Sequence, residues 1–239
     1  MGLFYRATDK ALLEIRKKIF LDKGVPALVK NDFEKSPFST AFWDKNNLGD
    51  YSYEFCKLTE SSLLHLVTVH INKGDKWIQI KLNIFKLNNN IKNLQQLNQT
   101  DGIQFHLPPN SISNMRLHVD DFKGIPLFNY DFMFKNHKLK FFFTKNGFDK
   151  SVKKLSTRIE NDLTDFNKYV KRWNKIHKPI ITTVEGKIEG LNNMTVNERL
   201  YASGLMNEFD KAMRKDKQRA IQILKWLQVD KTLISKKVE

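Results

Sequence analysis

Three stretches in the first half of the chain predict β-strands: in the first and third, hydrophobic residues alternate with polar ones with a period of two, and the second is a dense apolar run. The stretches cover residues 51–56, 63–71 and 77–87. Lys73-Gly74-Asp75 lies between the second and third stretches and is typical of a hairpin loop. Shorter apolar segments predict further strands, so we expect a mainly antiparallel sheet of five to seven strands; these segments are 115–119, 127–134 and 139–143.

After Gly147 the apolar residues recur every three or four positions, which predicts one long amphipathic helix over residues 148–176. A shorter helix is predicted over residues 8–20, with Thr8 as its N-cap. Residues 22–50 carry proline and glycine and predict an irregular stretch that wraps the core. Residues 91–101 predict one further short helix.

The last part of the chain predicts two helices. Thr195 and Glu198 have the spacing of a capping box, in which each side chain accepts from the other residue's backbone N–H. Asp216 is the expected N-cap of the second helix. The predicted fold class is therefore α+β, with the sheet backed by the long helix. We expect a core domain at residues 1–180 and a C-terminal helical hairpin module at residues 194–239.

This C-terminal segment resembles a helical element of uncharacterised bacterial proteins. The matching residues are Met194-Thr-Val-Asn-Glu-Arg-Leu200, Ser203-Gly204-Leu205 and Glu208-Phe209-Asp210. The resemblance implies a helical tail that is added to varied small proteins. It implies no active site, because the element carries no catalytic residues that could be transferred to this chain.

Composition narrows the class of protein. Hydrophobic residues make up 41% of the chain, which is enough for a core, and no run approaches the roughly 18 apolar residues of a membrane span. The first 20 residues carry charges throughout, so we expect no secretory signal. Cys56 is the only cysteine and lies in a strand pattern, so it predicts a core residue and favours a reducing cytoplasm.

The net charge of +15 is typical of proteins that bind nucleic acid or acidic surfaces. Only 8 of the 41 basic residues are arginine, the preferred bidentate ligand of phosphate. The chain also holds 22 asparagines, and this bias indicates an A+T-rich genome. The charge alone therefore does not identify a partner.

Histidines and acids offer one set of candidate catalytic residues. His118 and Asp120 are expected on the same face of a strand, followed by Asp121, and could share a metal ion or a proton. His106, His65 and His70 are the further histidines considered with them. Because the chain lacks the spacing of known metal motifs, the sequence predicts no metal ligands and no cofactor.

Glu54 and the segment Gln79-Ile80-Lys81 resemble a degenerate carboxylate-x-lysine signature of metal-dependent nucleases. Such chemistry needs two or more acids that hold a divalent ion beside a lysine. Here glutamine stands at the acidic position and the nearest acid is Asp75, in the predicted turn. A row of polar residues that face solvent is the competing interpretation.

Basic residues along the long helix and between the C-terminal helices suggest nucleic-acid binding, with Tyr169 and Trp173 as candidates for base stacking. The competing interpretation is a solvated face of an amphipathic helix. The candidate contacts are Lys168, Lys171, Arg172, Lys175, Lys211, Arg214 and Lys215.

With no catalytic signature evident, the sequence favours a non-enzymatic, cytoplasmic bacterial protein that binds another protein, such as an immunity-type or regulatory protein. The basic surface would then favour an acidic partner. A nucleic-acid-binding protein that uses helix 148–176 is the first alternative. A metal-dependent hydrolase built on His118 and Asp120 is the second.

Overall fold

A computed structural model describes most of the chain. The described residues are 5–46, 49–60, 62–87, 91–98, 100–107, 110–118, 136–139, 143–182, 194–202, 206–227 and 229–238. Among these residues, no helix combines the length and the apolar character needed to cross a bilayer. The predicted strand at 127–134 lies outside the described residues.

The N-terminal helix forms where the sequence predicts it. Helix α1 (Asp9–Ile19) is capped by Thr8, whose hydroxyl accepts from the Ala11 backbone N–H at 3.2 Å. A π-helical turn (Phe20–Gly24) and helix α2 (Val25–Lys30) continue it directly. The prediction of an irregular stretch over 22–50 is therefore wrong in part, because Pro26 stands in the first turn of α2, where proline is tolerated.

Three long strands form the centre of the sheet, as the alternation predicts. They are β3 (Tyr51–Thr59), β4 (Leu63–Ile71) and β5 (Gln79–Leu87), each paired antiparallel with the next. Four short strands lie at the two edges. β1 (Glu34–Lys35) and β2 (Trp43–Lys45) pair with β3, whereas β6 (Met115–Arg116) and β7 (Ile180–Thr182) pair with β5.

The edge strands differ from the prediction in two ways. Of the segment predicted as a strand at 115–119, the structure describes residues 115–118, and among these Met115 and Arg116 form β6, followed by Leu117 and by His118 with a positive φ of 62°. The segment 180–182, expected to be a connector, forms β7, which pairs parallel with β5. A parallel neighbour needs a long crossover, and the helices between β5 and β7 lie within it.

Each face of the sheet carries its own core. One face presents Phe55, Val67 and Leu82 to the N-terminal helices and to the helices that precede β7. The opposite face presents Cys56, Leu66 and Phe85 to the segments around Phe38 and Phe105. The fully buried Cys56 confirms its prediction as a core residue.

The long helix is divided in two. Helix α3 (Lys145–Thr164) ends at Asp165, and α4 (Asn167–Ile176) follows after Phe166. Phe166 is buried at the break and packs edge-on against Phe33, with ring centroids 4.9 Å apart. The prediction of one helix over 148–176 is correct in its residues and wrong in its continuity, because the apolar period runs through the break.

The C-terminal segment contains more than a hairpin. Its described residues form α5 (Val196–Ala202), α6 (Met206–Lys215), α7 (Lys217–Trp226) and α8 (Lys231–Val238). Thr195 and Glu198 make the predicted capping box, with N···O distances of 2.7 and 3.3 Å. These helices share a hydrophobic core with Ile103 and Leu107, which precede β6, so the C-terminal helices pack against the rest of the protein.

Candidate functional site

The structure places one predicted catalytic candidate, His118, in a group of polar residues from distant parts of the chain. Its Nε2 lies 2.6 Å from Oδ2 of Asp162, which is on α3. The Nε2 of His137 lies 2.9 Å from the same oxygen. Asp120 and Asp121, the other candidates, lie outside the described residues. We call His118, His137 and Asp162 the His–Asp cluster.

The surroundings of the His–Asp cluster are largely buried. The side chains of His118, His137 and Asp162 are 16, 4 and 7% exposed. The second carboxylate oxygen of Asp162 accepts from Lys168 Nζ at 3.0 Å, and the Tyr169 hydroxyl lies 2.8 Å from His118 Nε2. Both oxygens of the carboxylate are therefore in contact with nitrogen atoms of basic residues, and its orientation is fixed.

Burial and hydrogen bonding act in opposite directions on these groups. Burial favours the neutral carboxyl of Asp162, but hydrogen bonds from His118 and His137 outweigh it and hold the pKa well below its usual range. Burial lowers the pKa of His137, despite its contact with Asp162. Asp162 is thus a carboxylate beside a neutral His137 imidazole at neutral pH.

Two members of the His–Asp cluster, His137 and Asp162, were not predicted from the sequence. His137 lies in a short segment between predicted strands and had no partner within a few residues. Asp162 offered a signal, because it occupies a position on the apolar face of α3, beside Ile159 and Leu163. A carboxylate at a core position of an amphipathic helix is seldom buried without a charged or hydrogen-bonding partner.

The acids considered for a nuclease-like site, Glu54 and Asp75, form separate structural contacts. Glu54 is fully buried in β3 and accepts from Ser36 Oγ at 2.5 Å, while its other oxygen lies 2.6 Å from His106 Nε2. Asp75 instead forms an ion pair with Arg16 at 2.6 Å. Each acid therefore has partners of its own and they do not form the paired-acid site of the nuclease hypothesis.

The candidate contacts on α4 are partly occupied by the protein itself. Lys168 pairs with Asp162 and Asp165, and Arg172 is half-buried. The rings of Tyr169 and Trp173 are 3 and 0% exposed, so they pack in the core and are not placed to stack on bases. Lys171 and Lys175 are exposed, so they stay accessible as candidate contacts for nucleic acid.

Helix α3 carries a more continuous basic surface than α4. Four exposed basic residues with helical spacing line a shallow groove together with Thr157 and Asn161, and we call these four residues the α3 basic stripe. Its members are Lys150, Lys153, Lys154 and Arg158. None of the four forms an ion pair with any residue that the structure describes.

The acids nearest the α3 basic stripe already have other partners. Asp149 pairs with Lys145, and Glu160 pairs with Lys23 at 3.1 Å. In the described residues, the ion pairs of these two acids are therefore made with lysines outside the stripe. Of the C-terminal candidates, Lys211 and Arg214 are exposed on α6, whereas the side chain of Lys215 is outside the described part of the chain.

The chain matches no protein-family model, no curated protein and no solved structure with which it was compared. The resemblance of residues 194–239 to a helical element of bacterial proteins therefore stays a prediction. The function has to be inferred from the surfaces and clusters described above.

Proposed function

We propose that the protein binds nucleic acid through the phosphate backbone, using the α3 basic stripe. The observation that supports this proposal is a row of four exposed cations, Lys150, Lys153, Lys154 and Arg158, without an acidic partner in the described residues. From Lys150 to Arg158 the row extends about 12 Å along the helix. A row of this length can contact successive phosphates of one strand.

The composition of the α3 basic stripe favours phosphate over a protein surface. Among the residues that the structure describes, the groove is lined by lysine, arginine, threonine and asparagine and by no apolar or aromatic side chain. The centres of protein interfaces are rich in aromatic residues and poor in lysine. Contacts to phosphate carry no sequence information, so the proposed binding is independent of sequence. A cytoplasmic location, expected from cysteine usage, is part of this proposal.

The binding should depend steeply on salt. If the four cations each neutralise one phosphate, affinity for duplex DNA should fall by roughly 100-fold between 50 and 200 mM salt. Fluorescence anisotropy with two labelled duplexes of unrelated sequence measures both the salt slope and the lack of sequence preference. The variant K150E/K154E/R158E should lose nearly all binding at 50 mM salt.

A matched control separates this surface from net charge. The variant K73E/K86E/K92E removes the same charge at exposed lysines on other elements and should bind within a few-fold of the unaltered protein. Equal losses in the two variants would contradict the proposal, as would a wild-type protein that binds neither duplex. A third variant, K171E/K175E, tests whether the exposed lysines of α4 extend the surface.

A protein partner is the second candidate, and one exposed residue favours it. Tyr201 on α5 is 81% exposed. Tyrosine is enriched in protein interfaces, so an exposed tyrosine is a candidate contact for a protein partner. It lies in the segment 194–239, which the sequence predicts to be a helical module added to the core domain. The interaction role is therefore proposed for the C-terminal helices, separately from the α3 basic stripe.

A further inference from the structure

Three metal-ligating side chains from separate segments converge at the His–Asp cluster. The ligand atoms of His118, His137 and Asp162 all lie within 4.8 Å of one another, and no other group of this kind occurs in the described residues. His118 follows β6, His137 precedes Lys138, which bridges to Trp77 beside β5, and Asp162 lies on α3. We propose that this cluster is a binding site for one divalent transition-metal ion of the zinc type.

The ligand set fits zinc by its chemistry. Imidazole nitrogens and a carboxylate oxygen are common zinc ligands, and three protein ligands leave a fourth tetrahedral position for water. The Tyr169 hydroxyl also lies beside the site, 2.8 Å from His118 Nε2. Zinc bonds of about 2.0–2.1 Å place ligand atoms about 3.3 Å apart. The present spacings of 2.6 and 2.9 Å would thus open by about 0.5 Å on binding.

The backbone supports a role beyond packing. His118 and His137 both adopt left-handed conformations, with φ of 62° and 55°. Such values are uncommon outside glycine, and strain of this kind is concentrated at functional sites. Both residues with this backbone conformation contact the same carboxylate oxygen of Asp162 through Nε2.

Lys168 has two opposing effects on such a site. Its ammonium group lies 3.0 Å from the Asp162 oxygen that does not contact the histidines. It repels a cation, but it also holds the carboxylate so that the other oxygen faces both imidazoles. Groups that orient metal ligands in this way contribute substantially to affinity. Without a metal, the same contacts form a hydrogen-bonded His–Asp–His network, which is the competing explanation.

The test is a metal titration of the full chain after dialysis against a chelator. We expect one equivalent of Zn²⁺ in calorimetry, and one equivalent of Co²⁺ with the visible absorption bands of a tetrahedral complex. A rise in melting temperature with added Zn²⁺ should accompany binding, since a ligand that binds only the folded state stabilises it.

Two variants and one control locate the site. H118Q and D162N should each weaken Zn²⁺ affinity by at least about 100-fold, because even groups behind the ligands contribute 10–100-fold. H118Q changes a partly exposed residue, so it remains informative if D162N does not fold. H106Q removes a histidine that contacts a different carboxylate, that of Glu54, and should leave Zn²⁺ affinity unchanged. The proposal is overturned if wild-type protein binds no metal, if H118Q binds with wild-type affinity, or if H106Q loses as much as H118Q.

Discussion

Replacing Arg16 by methionine is expected to lower the free energy of unfolding by about 3–5 kcal/mol. The Arg16 side chain is fully buried and pairs with Asp75 at 2.6 Å. It also donates to three backbone carbonyls, those of Leu12, Asn72 and Trp77, at 2.7–3.0 Å. Methionine fills a similar volume but removes the guanidinium that donates to Asp75 and to these carbonyls, and the loss of buried hydrogen bonds is costly. Urea denaturation followed by tryptophan fluorescence measures the loss.

The neighbouring Lys18 provides a matched control on the same helix. Lys18 is exposed, so K18M should change stability by no more than about 0.5 kcal/mol. Asp75 keeps hydrogen bonds from the Trp77 N–H and Gln79, although burial raises its pKa. The double variant R16M/D75N should therefore recover part of the R16M loss, because it removes the unpaired carboxylate. An R16M protein as stable as K18M would show that this buried pair contributes nothing.

Lowering the pH from 7 to 5 should destabilise the protein by about 2 kcal/mol for each of two histidines of β4. Burial lowers the pKa of His65 to about 4, with a further contribution from Lys57. Burial, Lys81 and His106 lower the pKa of His70 to about 4, against an opposing effect of Asp50. The unfolded chain binds protons at these histidines below about pH 6.5, whereas the folded protein does so only near pH 4. Stability is thus lost as the pH falls through this window.

The contacts of the two histidines suggest conservative replacements. His65 Nε2 lies 3.0 Å from Thr59 Oγ1, and His70 Nδ1 lies 3.1 Å from Ser52 Oγ. Glutamine at 65 and asparagine at 70 place an amide near the same positions. The H65Q/H70N protein should show a flatter dependence of unfolding free energy on pH between 7 and 5, measured by urea titration. Between pH 7 and 8 the two proteins should differ by a nearly constant amount. An unchanged slope would assign the acid sensitivity to other groups.

The central sheet and the N-terminal helix were predictable because their side chains follow one period over many residues. Polar and apolar residues alternate over residues 51–56 of β3 and over residues 78–84 at the start of β5, β4 is a dense apolar run, and Thr8 before α1 is an evident N-cap. Of the edge strands, only β6 lies within a segment predicted as a strand, 115–119, and β1, β2 and β7 were not predictable from pattern. β1, β2, β6 and β7 pair over only two or three residues each, so long-range pairing determines them.

The break between α3 and α4 shows a second limit. Leu163, Phe166, Val170 and Trp173 keep the helical period across it, so the pattern alone cannot reveal that the backbone turns at Asp165. The His–Asp cluster shows a third limit. His118 was a candidate from its own sequence, but its partners come from positions 137 and 162, and only the packing of α3 on the sheet brings them together.

Because the chain's one cysteine is buried in the sheet, its labelling rate can report how often the sheet opens. Cys56 has no exposed surface, and burial raises the pKa of its thiol well above the usual value. A thiol that is both shielded and protonated reacts slowly with alkylating reagents. Covalent labelling of Cys56 should therefore proceed only as fast as the centre of the sheet opens. The labelling rate, followed by mass spectrometry, would measure the rate of that opening in the unaltered protein.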